Sequence, residues 1–209
     1  MEEDVMRLYM MRHGETDWNR KHLWQGRTDI PLNENGRRVA ELTREGMKEI
    51  SFDLAFCSPL SRAKETAEIV LQGRNIPLIV DERIIEMGFG PLEGKDMRDV
   101  TDEIRVFFQH PEEYIVPENA EGFDEILERE KSFLDELIST PEYKDYNILI
   151  ATHGAALRGL MAVLEEKPLA RYWEGGVHKN CGLTIVDVKD GKIEIVQEAI
   201  ILYDEKDLK

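Results

Sequence analysis

Two segments of this chain share one layout. YMMRHGET runs an apolar stretch into Arg12, His13 and Gly14, and ILIATHGA runs another into Thr152, His153 and Gly154. An apolar run of this length reads as a strand, and a glycine ahead of a helical pattern turns the chain away from it. A third turn of the same kind, AFCSPLSRAKET, carries Arg62. Three strand-to-helix turns point to a sheet covered by helices, with one pocket collecting two imidazoles and the guanidiniums of Arg12 and Arg62.

The rest of the chain follows the same alternation. Arg7 to Arg12 reads as a strand, Asn33 to Ile50 as a helix capped by Asn33, and Asp53 to Cys57 as the next strand. Ser58 is placed to cap a helix with Pro59 as its first residue, where proline's missing amide costs nothing. Leu60, Ala63, Ala67, Val70 and Leu71 then form its buried stripe, with Arg62 in the first turn. Pro77 to Val80 and Asn147 to Thr152 are further strands, and Ala155 to Leu164 is the helix after His153. Thr184 to Val188 and Ile193 to Ala199, joined by Lys189-Asp190-Gly191-Lys192, read as a hairpin. Between about 95 and 145 the strands stop. Met97, Val100, Ile104, Phe107 and Phe108 form one helical stripe, and Phe123, Ile126, Leu127, Leu134, Leu137 and Ile138 a second, with Pro111 and Pro117 between. The fold expected is a three-layer α/β/α sandwich around a mostly parallel sheet, one domain over 1–209. Its helical insertion near the active site is either a lid or an ordinary layer of helix.

Composition removes several function classes. The 209 residues carry a formal charge of −16, which disfavours nucleic acid and anionic membranes, since both attract clustered basic surface. No stretch approaches the apolar length of a membrane span, and the acidic start MEEDVMR is unlike a signal peptide. Cys57 and Cys181 lie in no metal-binding spacing and read as buried reduced thiols. A catalytic thiol at Cys57 is disfavoured because CSPLSR places four residues, not five, before Arg62 and has no glycine to aim amides at a phosphate. A cytoplasmic protein is expected; its oligomeric state is left open.

The four convergent side chains suit phosphoryl chemistry. A neutral imidazole attacks phosphorus with one nitrogen if the other keeps its proton in a fixed hydrogen bond, and arginine forks match phosphate oxygens without losing charge. His13 is the candidate nucleophile, Arg12 and Arg62 the phosphate binders, and His153 a further donor, strongest as imidazolium. The helix after Ser58 and the turn at Gly154 add free amides and positive dipole ends.

In sequence order RHGETDWN, QGRTDIPLNENGRRVA, SPLSRAKETAE, IIEMGFGPLEG and THG resemble the motifs of the histidine phosphatase superfamily, which includes cofactor-dependent phosphoglycerate mutase. The resemblance covers nearly the whole chain. It implies that His13 is phosphorylated, that Arg12, Arg62, His153 and Asn19 bind the phosphoryl group, and that Glu86 is the proton donor. Gln25, Gly26 and Gly154 are expected to complete the phosphate and substrate contacts. Glu93 and Glu121 are rival acids, and Glu15 is expected to orient the loop. His22, His110 and His178 are expected at the surface or in loops, and Trp18, Trp24 and Asn180 in structural roles.

Departures from the family pattern favour hydrolysis over mutase activity. Met87, Gly88 and Phe89 follow Glu86 where mutases carry basic or aromatic residues, and the segment after Lys95 is mainly acidic apart from Arg98 and Arg105. Asn119-Ala120-Glu121-Gly122 matches the family's Gly-Glu-Ser only at Glu121. The expected activity is that of a metal-independent histidine acid-type phosphatase, with no cofactor and a small phosphate ester as partner. Mutase-type transfer is the nearest alternative. A metal-dependent phosphohydrolase using His13, Glu15, Asp17 and His153, and a non-catalytic phospholigand-binding protein, are alternatives of other classes.

Overall fold

A computed structural model describes residues 4–99, 101–204 and 206 of the chain. Strands β1 (Met6–Arg12), β2 (Leu54–Cys57), β3 (Leu78–Val80), β4 (Asn147–Thr152), β5 (Leu183–Lys189) and β6 (Lys192–Ile200) form one sheet in the order β3-β2-β4-β1-β5-β6. The first four are parallel; β5 and β6 run antiparallel at one side. Helices are α1 (Asp17–Arg20), α2 (Glu34–Gly46), α3 (Ser61–Val70), α4 (Asp102–Gln109), α5 (Phe123–Ser139) and α6 (Gly154–Leu164). None of the described helices is long and apolar enough to cross a membrane.

Alternation along the strands builds the three layers. Leu8, Met10, Phe56, Ile148 and Ile150 face a core completed by Phe133, Leu134 and Leu137 of α5 and Leu157, Leu160 and Met161 of α6. Tyr9, Met11, Ala55, Leu149 and Ala151 face the opposite core, against Val39 and Ala40 of α2 and Ala67 and Val70 of α3. The expected three-layer α/β/α arrangement is therefore present. The terminal hairpin closes through Asp190 and Gly191, both at positive φ (48° and 74°), the conformation of a two-residue turn that follows the strand twist. Asn33 caps α2 by accepting from Gly36 N, as expected.

One local expectation is corrected. Helix α3 begins at Ser61 rather than Pro59, and Ser58 is not its N-cap. Asp29 Oδ1, from a distant loop, accepts from both Ser61 N (2.9 Å) and Ser61 Oγ (2.7 Å), supplying the cap, while Ser58 Oγ accepts from Leu60 N (3.3 Å) ahead of the helix. Of the two helical stripes expected between about 95 and 145, α5 belongs to the main core, whereas Ile104 and Phe107 of α4 join an aromatic cluster with Trp24, Phe89, Phe123 and Tyr172. Val100, placed in the α4 stripe, lies outside the described residues.

One buried acid gives stability a pH dependence. Glu130 of α5 is fully buried, and neither carboxylate oxygen has a hydrogen-bond partner among the described residues. Burial pushes its carboxyl well above the usual range, against the nearby Arg129 and with help from Glu86 and Glu121. The folded chain thus holds a neutral acid that the unfolded chain ionises above about pH 4.3. From there, each pH unit costs about 1.4 kcal/mol of stability until the folded group titrates. Glu130→Gln removes this linkage. Its melting temperature is expected to gain on the wild type steadily between pH 5 and 7; a difference that stays constant with pH would show that Glu130 is charged in the fold.

Candidate active site

The carboxyl ends of β1, β4 and β2 lie side by side, which is where open α/β sheets bind ligands. Arg12 is in register with Thr152, and Cys57 with Ala151. His13 N donates to Thr152 O (2.9 Å) and Ser58 N to Ala151 O (3.0 Å), so three loops leave the sheet at one level. This register brings the His13 and His153 rings to a centroid separation of 5.2 Å.

His13 has a single available lone pair. Its Nδ1 lies 2.6 Å from Gly14 O; a carbonyl only accepts, so Nδ1 holds the proton and Nε2 is bare. Burial, with Arg62 and Arg12 adding repulsion, lowers its pKa well below 6.5, keeping the ring neutral in mildly acidic solution. Thr66 Oγ1 accepts from Gly14 N (2.9 Å), steadying the turn. Glycine is required at position 14, since a Cβ would stand 2.7 Å from the backbone oxygen of Gly36.

His153, expected as a further donor to the phosphoryl oxygens and strongest as imidazolium, has both ring nitrogens engaged by neighbours. Arg62 Nε donates to His153 Nδ1 (3.2 Å), and arginine can only donate, so Nδ1 is the acceptor and Nε2 carries the proton. That Nε2 donates to Ser58 Oγ (2.6 Å). Burial, then Arg62, His13 and Arg12, lower the His153 pKa well below 6.5, so the ring is neutral. In this tautomer the His153–Ser58 pair cannot act as base and nucleophile, because the nitrogen facing the hydroxyl already bears a proton.

Both arginines retain capacity for an anion. Arg62 is fully buried, its pKa lowered to about 10 by burial, and it remains charged at neutral pH. Besides His153 it donates to Gly26 O (2.7 Å) and Thr28 O (2.9 Å), leaving two of its five N–H groups. Arg12 Nη1 donates to His178 O (2.5 Å), while its buried Nε has no partner among the described residues. A buried guanidinium N–H without an acceptor is costly unless a ligand supplies one.

Glu86 reaches the site on the loop after β3, tied to β4 by Thr152 Oγ1 donating to Ile84 O (2.8 Å). Its carboxylate accepts from the amides of Gly154 (3.0 Å), Ala155 (3.3 Å), Ala156 (3.0 Å) and Met87 (2.9 Å). The first three open α6, where amides and dipole both favour an anion. A Cβ at Gly154 would lie 3.7 Å from Glu86 Oε2 and 3.8 Å from Arg12 Nε, so acid and guanidinium share one space. The rival acids are occupied elsewhere. Glu93 accepts from the amides of Arg27, Thr28 and Phe89; Glu121 joins Arg27 and Arg129 (2.8 Å each). Glu15 accepts from Asn33 Nδ2 (2.7 Å), in the orienting role expected of it.

Asn19 accepts through Oδ1 from Thr16 N and Asn180 Nδ2, and Gln25 through Oε1 from Thr16 Oγ1, so among the described residues each keeps its NH2 for a ligand. Together with Arg12, His13, Gly26, Arg62, Glu86 and Gly154 they line one cavity, about 80 Å³ in volume. His153 is the one predicted site residue that does not line it; it lies behind Arg62. The alternative metal set is not assembled: Glu15 faces Asn33 and Asp17 pairs with Arg20 (2.8 Å). Burial pushes the Cys57 thiol up to about 11, which withholds the thiolate a nucleophile would need.

Some functional neighbours were not legible in the sequence. His178, expected at the surface or in a loop, does lie in a loop but is buried, with Nε2 at 2.7 Å from Thr184 Oγ1 and its pKa lowered to about 4 by burial; its carbonyl holds Arg12. Ser58 was read as a helix cap. Thr66, one α-helical turn beyond Arg62, carries the only hint available: it faces the same side of α3 as Arg62. Asn180 Nδ2 also donates to His13 O (3.1 Å), consistent with a structural role.

Residues 8–200 match the family model described as the histidine phosphatase superfamily, branch 1. An adenosylcobalamin/alpha-ribazole phosphatase of Salmonella typhimurium is 33% identical over 189 residues, covering 89% of this chain and 92% of that protein. A 2,3-bisphosphoglycerate-dependent phosphoglycerate mutase of Cytophaga hutchinsonii is 34% identical over 165 residues, 76% of this chain and 77% of that one. Among solved structures, Bacillus stearothermophilus YhfR superposes with a TM-score of 0.85 at 33% identity, covering 93% of this chain and 97% of that chain.

Proposed function

The chain belongs to branch 1 of the histidine phosphatase superfamily, and from that premise we propose that it hydrolyses small phosphate monoesters through a phosphohistidine on His13, acting as one domain in the cytoplasm. The observation that carries the proposal is the Nδ1–H bond from His13 to Gly14 O. It leaves a neutral Nε2 in a cavity shared with two guanidiniums.

In the first half-reaction Nε2 bonds to phosphorus and the phosphorus–ester oxygen bond breaks. The departing alkoxide takes the proton of Glu86 in its acid form. Arg12, the two spare N–H groups of Arg62 and the Asn19 amide receive the phosphoryl oxygens, while the Gly154 amide, expected as a phosphate contact, donates to Glu86. His153 acts as a positioning residue, holding Arg62 through Nδ1. In the second half-reaction the Glu86 carboxylate removes a proton from water, the oxygen attacks phosphorus, and the P–N bond breaks to return the lone pair to Nε2. Gln25 and Gly26 place the loop that accepts from Arg62.

Hydrolysis is preferred over mutase transfer because Met87, Gly88 and Phe89 replace the basic and aromatic residues that follow the acid in mutases, and because the first relative is named a phosphatase. Purified protein is expected to release phosphate from simple monoesters at the same rate with and without a chelator. Isomerisation of phosphoglycerate that depends on added 2,3-bisphosphoglycerate, at a rate above its hydrolysis, would establish the mutase reading instead.

A further inference from the structure

The cavity has two unlike ends. The phosphate end is polar, with Val177 against it at Gly154; the rest of the apolar lining is Trp24, Phe89, Met97, Phe108 and Trp173. These residues come from four separate parts of the chain, and their rings support one another. Trp24 stacks on Phe108 (5.8 Å, 27°) and Phe108 tilts onto Trp173 (4.9 Å), which is pinned by Nε1 donating to Phe107 O (2.8 Å).

No lysine, and no arginine besides Arg12 and Arg62, lines this cavity among the described residues. Three arginines near it in sequence are paired with carboxylates: Arg27 with Glu121, Arg98 with Asp96 and Arg105 with Asp102. The polarity of the wall itself is a neutral donor, the buried indole N–H of Trp24, which has no partner among the described residues. A carboxylate or second phosphate on the substrate would lose its hydration against aromatic carbon with no cation to receive it. A flat apolar group would instead exchange water for ring contacts.

Resting on the phosphatase reading above, we infer that the preferred substrate is a small monoester with a single anionic group, the phosphate itself, and an aromatic ring close to the ester oxygen. Phosphoglycerates and their bisphosphates are thereby poor ligands.

The test must separate binding from leaving-group chemistry, so it uses alkyl esters of similar intrinsic reactivity: 2-phenylethyl phosphate, ethyl phosphate and 3-phosphoglycerate. The expected kcat/KM for 2-phenylethyl phosphate exceeds that for ethyl phosphate by about tenfold or more, equivalent to about 1.4 kcal/mol, and exceeds that for 3-phosphoglycerate by a larger factor. Trp173→Ala and, independently, Phe108→Ala are expected to shrink the phenylethyl advantage through KM, with Trp173→Phe retaining it. A higher kcat/KM on 3-phosphoglycerate than on 2-phenylethyl phosphate overturns the inference while leaving the phosphatase reading standing, as does an unchanged ratio in both alanine variants. Failure to hydrolyse any of the three esters overturns the phosphatase reading itself.

Discussion

His13→Ala is expected to lower kcat/KM on every phosphate monoester by on the order of 10⁴ or more, the scale of losing a nucleophile whose neighbours act as a unit with it. Neither nucleophile candidate beside the cavity has its qualifications. His153 is neutral, but its Nδ1 is taken by Arg62 and its Nε2 proton by Ser58. Burial keeps Cys57 a thiol. Arg12 and Arg62 survive the substitution, so binding of inorganic phosphate should persist when measured directly by calorimetry. Retention of more than about a tenth of wild-type kcat/KM would move the nucleophile elsewhere.

Glu86→Gln has the next largest expected effect, and its size depends on the substrate. An alkoxide needs a proton to leave, so formation of the phosphoenzyme from an alkyl phosphate should slow by about 10² to 10⁴. A nitrophenolate leaves without help, so the burst of nitrophenol from 4-nitrophenyl phosphate should slow by less than about tenfold. Steady-state turnover falls for both esters, since the same carboxylate activates the water. Burst measurements therefore carry the discrimination. Glutamine also sets an NH2 against amides of α6 that now donate to carboxylate oxygens, a clash that bears equally on both esters. Equal burst losses would remove Glu86 as the acid and leave it a structural plug at the helix end.

What the sequence revealed and what it hid follow different physics. Strand positions and layers were legible because buried strands and amphipathic helices leave periodic patterns, and His13, Arg12 and Arg62 were legible because each sits at a strand end or first helical turn. Glu86 was not recoverable from pattern, being one acid among 43 acidic residues; only the resemblance singled it out. The structure adds the reason for its place, four amides converging on one carboxylate. Ser58 was misread because a serine before a proline has the local signature of a cap, while its partner, His153, is 95 residues away. Likewise the neutral state of His153 depends on burial and on Arg62, neither visible in the tripeptide around it. The aromatic wall was hidden for the same reason: Phe108 was assigned to a helical stripe and Trp24 to packing, and only the tertiary fold places both beside Trp173.

The most direct test of the phosphohistidine account is to mix enzyme with a phosphate-labelled ester, quench in alkaline denaturant within milliseconds, and locate the label by peptide mapping and phosphorus NMR. The account predicts a label approaching one per chain, stable in alkali and lost in acid, on His13 with phosphorus bonded to Nε2. Label on Ser58 or Cys57, attachment at Nδ1 of His13, or turnover without any labelled enzyme would contradict it.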